Sequence, residues 1–295
     1  MKIDVCICTF RRPHVAETLR SVAAANRPAD AALRLLVIDN DDSPSARALI
    51  EETAESLALP VHYVHAPGAN ISIARNAGLA AVEAGWVAFL DDDEIVDADW
   101  LTALVKCQAE TRADAVFGQS RAIYGSDTPD WIVAGDFHSQ APVTRDGVVE
   151  TGHTCNALLR WGDAPWTDQR FALERGRSGG EDTEFFFRLA TMGARYAISA
   201  DSIVREAVPA DRASLEWLLK RRFRIGQSYA SHAKGLPARA VLFASAAAKS
   251  AYCHLHALPA WSDPAARAFW LMRGRMHAGV CAGCLKLKQR TLYGA

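Results

Sequence analysis

Short apolar runs alternate with amphipathic stretches along the first hundred residues. The runs over 3–9, 35–39, 61–65 and 86–90 are rich in Val, Ile and Leu and predict strands buried on both faces. Between them Val15, Leu19 and Val22 fall at helical spacing after Pro13, and Ala46, Leu49, Ile50 and Leu57 do so after the turn signal Asp41-Asp42-Ser43-Pro44. Strands alternating with helices predict right-handed crossovers and a parallel sheet, with ligands at the carboxyl ends of its strands. The polar residues of this part of the chain collect at those ends.

Residues 120–150 are rich in Gly, Pro, Asp and Ser without a sustained period, which predicts long loops around short strands. A helical pattern resumes over 183–192, strands are expected over 194–198 and 202–205, and the chain reads as helical beyond 211. Within that last stretch, 241–258 is the most apolar segment, yet Lys249, His254 and His256 interrupt it and Pro259 ends it. A spanning helix needs about 20 predominantly apolar residues, so this one is too short and too polar. It can lie in the plane of a membrane surface or pack on the rest of the protein.

Charge tips that choice. The net charge of −1 hides residues 1–210 with 19 Lys and Arg against 31 Asp and Glu, and residues 211–295 with 14 against 3. A basic stretch of this kind implies an anionic partner, and a membrane surface is the one favoured here over nucleic acid. Half the residues are apolar, which excludes a disordered or fibrous chain. No basic region followed by an apolar stretch opens the sequence, so a cytoplasmic protein is expected, peripheral on the inner face of the membrane if the basic stretch binds there. The seven cysteines are irregularly spaced and read as reduced thiols, Cys281-x-x-Cys284 included.

The strongest chemical signal is Asp91-Asp92-Asp93-Glu94, four carboxylates directly after a buried run. Crowded carboxylates are tolerable where a cation or protons relieve them, and Mg²⁺ or Mn²⁺ takes oxygen ligands from one or two carboxylates plus substrate phosphates. Alone, the run could equally be a solvated acidic turn. Three further elements accompany it: 5–12 (V-C-I-C-T-F-R-R), 36–41 (L-V-I-D-N-D) and 70–78 (N-I-S-I-A-R-N-A-G), the last opening a helix that leads by Gly85 into the acidic strand. Phe171, Gly179-Gly180-Glu181-Asp182 and Arg188-Leu189 follow in order.

Taken together over about 3–225, these elements resemble the inverting family 2 glycosyltransferases, among them bacterial exopolysaccharide enzymes of the succinoglycan type. The resemblance implies the GT-A fold: α/β, a Rossmann-like mixed sheet with mostly parallel strands, here with a C-terminal helical extension. A catalytic domain over 1–210 would divide into a nucleotide half, about 1–100, and an acceptor half, about 101–210, leaving 211–295 as the basic helical tail. The implied reaction moves a single sugar from a nucleotide-sugar donor, a UDP-sugar, to a saccharide or polyprenyl-diphosphate-linked acceptor, with a divalent metal. By the same resemblance Thr9 and Arg11 line the nucleotide pocket and Asp39 accepts from a uracil imide. Arg75 sits near base and diphosphate, Asp91 and Asp92 lie on the donor, and Asp93 holds the metal. Asp182 is the general base, with Glu181 beside it.

The residue types suit these roles, since inversion needs a carboxylate opposite the leaving group and charge to stabilise the departing diphosphate. The same Glu181-Asp182 pair could instead merely cap a helix. His153, Trp166, Arg221 and Arg222 are further acceptor or diphosphate candidates, with Trp131 and Trp161 as other aromatic faces. The basic segment 218–224 lacks the Q-x-x-R-W of enzymes making long polymers, which argues for single-sugar addition. Two rivals remain: a metal-dependent phosphohydrolase or nucleotidyltransferase, against which residues 9–13 show no glycine-rich loop, and a non-catalytic nucleotide- or membrane-binding scaffold.

Overall fold

A computed structural model describes residues 1–142, 144–230, 233 and 235–287. In chain order its elements are β1 Lys2–Thr9, α1 Val15–Ala24, β2 Ala32–Asp39, α2 Arg47–Glu55, β3 Val61–His65, α3 Ile71–Ala81, β4 Trp86–Asp91, β5 Glu94–Val96, α4 Trp100–Thr111 and β6 Ala115–Ile123. There follow α5 Asp130–Gly135, β7 Thr144–Arg145, β8 Val148–Val149, β9 Asn156–Arg160, α6 Glu181–Thr191, β10 Tyr196–Ala207, α7 Leu215–Ala230, α8 Leu236–Ala257 and α9 Pro264–Cys284. The chain divides into two compact units. One comprises Met1–Arg121, Ser139–Arg177 and Glu181–Glu206; the other comprises Ala122–His138, Ser178–Gly180 and Ala207–Ala295. The second therefore takes in 122–138 and 178–180 as well as the basic stretch, rather than starting cleanly near 210.

The first unit is built on an eight-stranded sheet in the order β3-β2-β1-β4-β9-β6-β10-β5. Strands β1 to β4 pair in parallel, whereas β9 runs antiparallel to both β4 and β6, and β5 antiparallel to β10. The apolar runs are continuous because both faces are covered. Ile3, Val5 and Ile7 point into one cluster with Val15, Leu19 and Val22 of α1, Ile50 of α2 and Trp100 and Leu104 of α4. The alternate residues Cys6, Leu36, Ile38 and Phe89 face the opposite cluster with Ala74 and Leu79 of α3 and Phe185, Phe186 and Leu189 of α6. Each such large side chain contributes about 1.5–3 kcal/mol on burial. Register then aligns the chemistry: Thr9 lies opposite Asp39, and Cys8 opposite Asp91, so three strands present their polar ends along one edge.

Three expectations change. The strands expected over 194–198 and 202–205 form the single strand β10, in which the exposed pair Ala200 and Asp201 interrupts the alternation without ending the pairing. Residues 120–150 include the short helix α5, whose Trp131 and Ile132 join an apolar cluster of the second unit. Strand β9, only five residues long, has no counterpart in the sequence reading although it fills the middle of the sheet.

In the second unit α9 packs against both α7 and α8. Glycines let α7 and α9 approach backbone to backbone: a Cβ on Gly226 would meet the Met276 carbonyl oxygen, and one on Gly279 the Phe223 carbonyl oxygen. Cys281 and Cys284 are free thiols in the cluster where Ala230, Ala246 and Val280 meet. Among the described residues no helix is long and apolar enough to cross a membrane. The last residues of the tail, 288–295, lie outside those described.

Candidate active site

The acidic run closes β4 and turns into β5. Glu94 is buried and accepts the Asp91 N–H at 3.2 Å. Burial, with Asp91 and Glu206 nearby, pushes the Glu94 carboxyl well above its usual range. Asp92 is also buried, and desolvation pushes it up to about 6 against the pull of Arg12. Asp91 keeps 41% of its side-chain surface exposed. The protein around it still desolvates the carboxyl, and the charges of Asp93 and Asp182 add to that, lifting it to about 6 despite Arg75. Arg12 bridges the run, its Nη1 donating to Asp92 Oδ1 at 2.9 Å and to Asp93.

The opposite wall comes from α3 and α6. Asn70 caps α3 by accepting from the Ser72 N–H, and Asn76 holds the chain at Phe171 by donating to its carbonyl and accepting from its N–H. These contacts fix Arg75, one turn into α3, at 5.7 Å above the Phe171 ring. Arg75 is buried and forms an ion pair with Glu181 while its Nη2 lies 3.5 Å from Asp91 Oδ1. Burial disfavours its charge, but Glu181, Asp91 and Asp182 outweigh that and secure it. Glu181 is itself buried, with burial raising its carboxyl and Oε2 lacking a hydrogen-bond partner among the described residues.

Two consecutive glycines with φ of 84° and 82° set up the sharp entry to α6, a conformation other residues resist. Asp182 follows in the first turn. Its Oδ1 accepts from the Thr183 N–H at 2.6 Å and from the Thr183 hydroxyl at 3.3 Å, and its Oδ2 lies 3.3 Å from His153 Nδ1. Burial alone would raise this carboxyl, but His153, Arg75 and the Thr183 N–H reverse the effect and hold it at about 2. Asp91, Asp93, Asp182, Glu181, Arg75 and His153 thus form one electrostatically connected group. Among the described residues no three His, Cys, Asp or Glu side chains form a metal cage. A magnesium-type site completed by substrate phosphates needs only one or two carboxylates.

The other candidates fall elsewhere. Thr9 is buried, and its hydroxyl has no hydrogen-bond partner among the described residues. Arg11, at φ 57°, pairs with Asp41 at 2.8 Å and holds that carboxyl at about 2, so it shapes the turn after β2. Asp39 has no exposed surface; it accepts from the Asp41 and Ala46 N–H groups and from the Tyr63 hydroxyl. Trp166 is corrected outright: it is 1% exposed, donates to the Arg160 carbonyl and belongs to the core, as does Trp161, so neither offers a face to a sugar. Arg221 and Arg222 lie in the second unit, on α7. Arg221 stands over the Trp217 ring, and Arg222 is held below the usual arginine range by burial and by Arg221.

Arg12 and Glu94 are the residues that sequence reasoning passed over. Arg11 and Arg12 are adjacent and of one type, and only the left-handed turn at Arg11 decides which side chain returns to the acidic run. Glu94 was visible as part of the run, but its burial became evident only from the pairing of β5 with β10.

A mixed sheet whose parallel half ends in Thr9, Asp39 and the 91–93 carboxylates, faced by a carboxylate pair at the head of a helix, is the architecture of a GT-A glycosyltransferase. The chain belongs to glycosyl transferase family 2, whose family model matches residues 4–162. It is 48% identical over 299 residues to the succinoglycan biosynthesis protein ExoM of Rhizobium meliloti (strain 1021), covering 100% of this chain and 96% of the relative. Its fold is similar to that of the mannosyltransferase PcManGT from Pyrobaculum calidifontis, solved with GDP-Man and Mn²⁺. That match has a TM-score of 0.66 and 19% identity over 97% of this chain and 88% of the other. Residues 1–349 of S. aureus TarS, solved with UDP-GlcNAc, align with a TM-score of 0.53 and 16% identity over 98% and 93% of the two chains.

Proposed function

We propose that this glycosyltransferase adds a single sugar from a nucleoside-diphosphate donor, a UDP-sugar, to a saccharide acceptor carried on polyprenyl diphosphate, as a step of exopolysaccharide assembly. The observation that carries the reading is that Asp91 of the acidic run and Asp182 both act on the buried Arg75, one from β4 and the other from α6. One side suits a donor diphosphate and its cation, the other an acceptor hydroxyl. The succinoglycan role of the 48% identical relative supports the pathway, and donor complexes of the two structural neighbours support the donor class.

Asp91 and Asp93 would hold a Mg²⁺ or Mn²⁺ ion, a fitting donor set because the charge of Asp93 beside Asp91 is one that a cation would relieve. When bound, such an ion supplies positive charge to the departing diphosphate. Arg12 donates to one of the two oxygens of Asp93 in this structure. Arg75 contributes a second fixed charge, secured by Glu181. The acceptor proton leaves at the Asp182 end of the site as the acceptor oxygen attacks, opposite the leaving group.

The second unit offers a means of meeting a lipid-linked substrate. Helix α8 carries no acidic residue, and Leu236, Val241, Leu255, Leu258 and Trp261 on it and just beyond it are each more than 60% exposed. An exposed apolar helix that carries Arg239 and Lys249 and no acidic residue of its own suits an anionic lipid surface, on which the protein would sit peripherally at the cytoplasmic face. The reading as a whole is tested by a thermal-shift screen of sugar nucleotides. UDP-sugars are expected to raise the melting temperature, and more so with Mn²⁺ present. Stabilisation by no sugar nucleotide, with or without the ion, would contradict it.

A further inference from the structure

Helix α7 carries positive charge that the transfer reading leaves unused. Its acidic residue, Glu216, pairs with Lys220 at 2.6 Å, and Arg221 and Arg222 form no ion pair among the described residues. Arg222 is half-buried, and burial together with the neighbouring Arg221 charge holds its guanidinium below the usual arginine range, with no carboxylate acting against them. A cation withdrawn from water is ordinarily paired, because desolvation otherwise disfavours its charge. Residues 122–138 of the same unit supply His138, which is 7% exposed and stacks on Trp217 at 5.4 Å. Arg221 and Arg212 stand over that indole at 5.2 and 5.8 Å. A carbonyl only accepts, so the 3.1 Å contact with the Arg212 carbonyl places the ring proton on Nε2. Burial and the charges of Arg221, Arg212 and Arg222 keep the imidazole below its ordinary value, and Nδ1 is left a buried lone pair with no partner among the described residues. An anion here would neutralise the arginines and draw a proton onto Nδ1, which then donates to it.

We propose that Arg221 and Arg222, beside His138, bind the diphosphate of the prenyl-linked acceptor. This rests on the transfer reading above and names residues for the acceptor's carrier rather than for its sugar. Adjacent residues on a helix diverge by about 100°, so a group with two anionic phosphates serves both arginines where a single phosphate serves one. The prenyl chain has a place on the same unit: α9 packs against both α7 and α8, and α8 exposes Val241 and Leu255.

The test is binding of farnesyl diphosphate to the full chain in detergent micelles, with farnesol and UDP measured in parallel. Wild type is expected to bind farnesyl diphosphate at least about tenfold more tightly than farnesol. Replacing both residues, Arg221→Gln with Arg222→Met, should weaken farnesyl diphosphate by about 10- to 100-fold and leave UDP affinity as in wild type. Arg222→Met alone keeps the aliphatic stem and removes a half-buried, unpaired charge, so it should melt at or above the wild-type temperature. An arginine placed for stability would lower that temperature on removal, and such a result would overturn the proposal. So would equal affinity of wild type and double variant for farnesyl diphosphate. A matching loss of UDP affinity would assign the arginines to the donor instead. A matching loss of flotation with phosphatidylglycerol vesicles would assign them to bulk lipid headgroups. Each of these results would leave the transferase reading intact, since that reading is judged by stabilisation with sugar nucleotides.

Discussion

At the scale of single residues, Asp4 holds three segments of the first unit together. Its carboxylate takes the Arg34 guanidinium in a two-point contact at 2.9 and 2.8 Å and accepts from the N–H groups of Glu83 and Ala84. Burial would raise this group, yet Arg34 and the two N–H donors outweigh it and lower the carboxyl below its usual range. The folded state therefore binds the proton less readily than the unfolded chain. Its contribution is complete above the unfolded aspartate value of about 3.9 and fades as pH falls through the lower folded value. Asp4→Asn should cost about 1.5–3 kcal/mol in urea unfolding at neutral pH, the scale of a hydrogen bond to a charged group. The gap to wild type should narrow below pH of about 4. A gap that stays constant down to about pH 3 would remove the charge from the explanation.

Arg75 poses the opposite problem, a buried cation with buried partners. Arg75→Met strands Glu181 without its counter-charge, and breaking a buried pair from one side costs about 3–5 kcal/mol. Adding Glu181→Gln should recover part of that loss in equilibrium unfolding. If the double variant is less stable than Arg75→Met alone, the pair is not what holds this region. The residue types at both sites were plain in the sequence. What it did not reveal was that Asp4 is buried at all, or that Glu181 forms a buried ion pair with Arg75.

At the scale of elements, the strands and helices of the first hundred residues were legible because each has a strong period and a capping or turn signal. Asn70 ahead of α3 is one such case, and Asp41 to Pro44 ahead of α2 another. Strand β9 was not, since Asn156–Arg160 is five residues with no period to detect and is specified by its neighbours β4 and β6. Trp166 misled for a related reason: an indole in a loop looks available until the Arg160 carbonyl and the core around it are seen. Helix α8 carries the prediction that belongs here. In flotation with anionic liposomes, replacing exposed Leu255, Leu258 and Trp261 with Ser should reduce recovery in the lipid fraction, while donor affinity stays as in wild type. Equal recovery of variant and parent would place any lipid contact elsewhere on the chain.

At the scale of the molecule, the α/β class followed from alternating strands and helices, and the polar ends expected for those strands line one edge of the sheet at Thr9, Asp39 and Asp91. The second unit was harder to foresee, because it draws on 122–138 and 178–180 as well as on the basic stretch, and apolar patterning does not encode such distant pairings. The central claim is that the 181–182 carboxylate pair performs sugar transfer rather than merely starting a helix, and Asp182→Asn tests it most directly. Asparagine keeps the shape, and its Oδ1 can still accept from the Thr183 N–H, so stability and donor binding should hold. In a side-by-side measurement of donor affinity by calorimetry and of turnover, kcat should fall by about 10²- to 10⁴-fold with the donor dissociation constant unchanged. A variant that keeps more than half its turnover, or one that loses donor affinity and turnover together, would contradict the account.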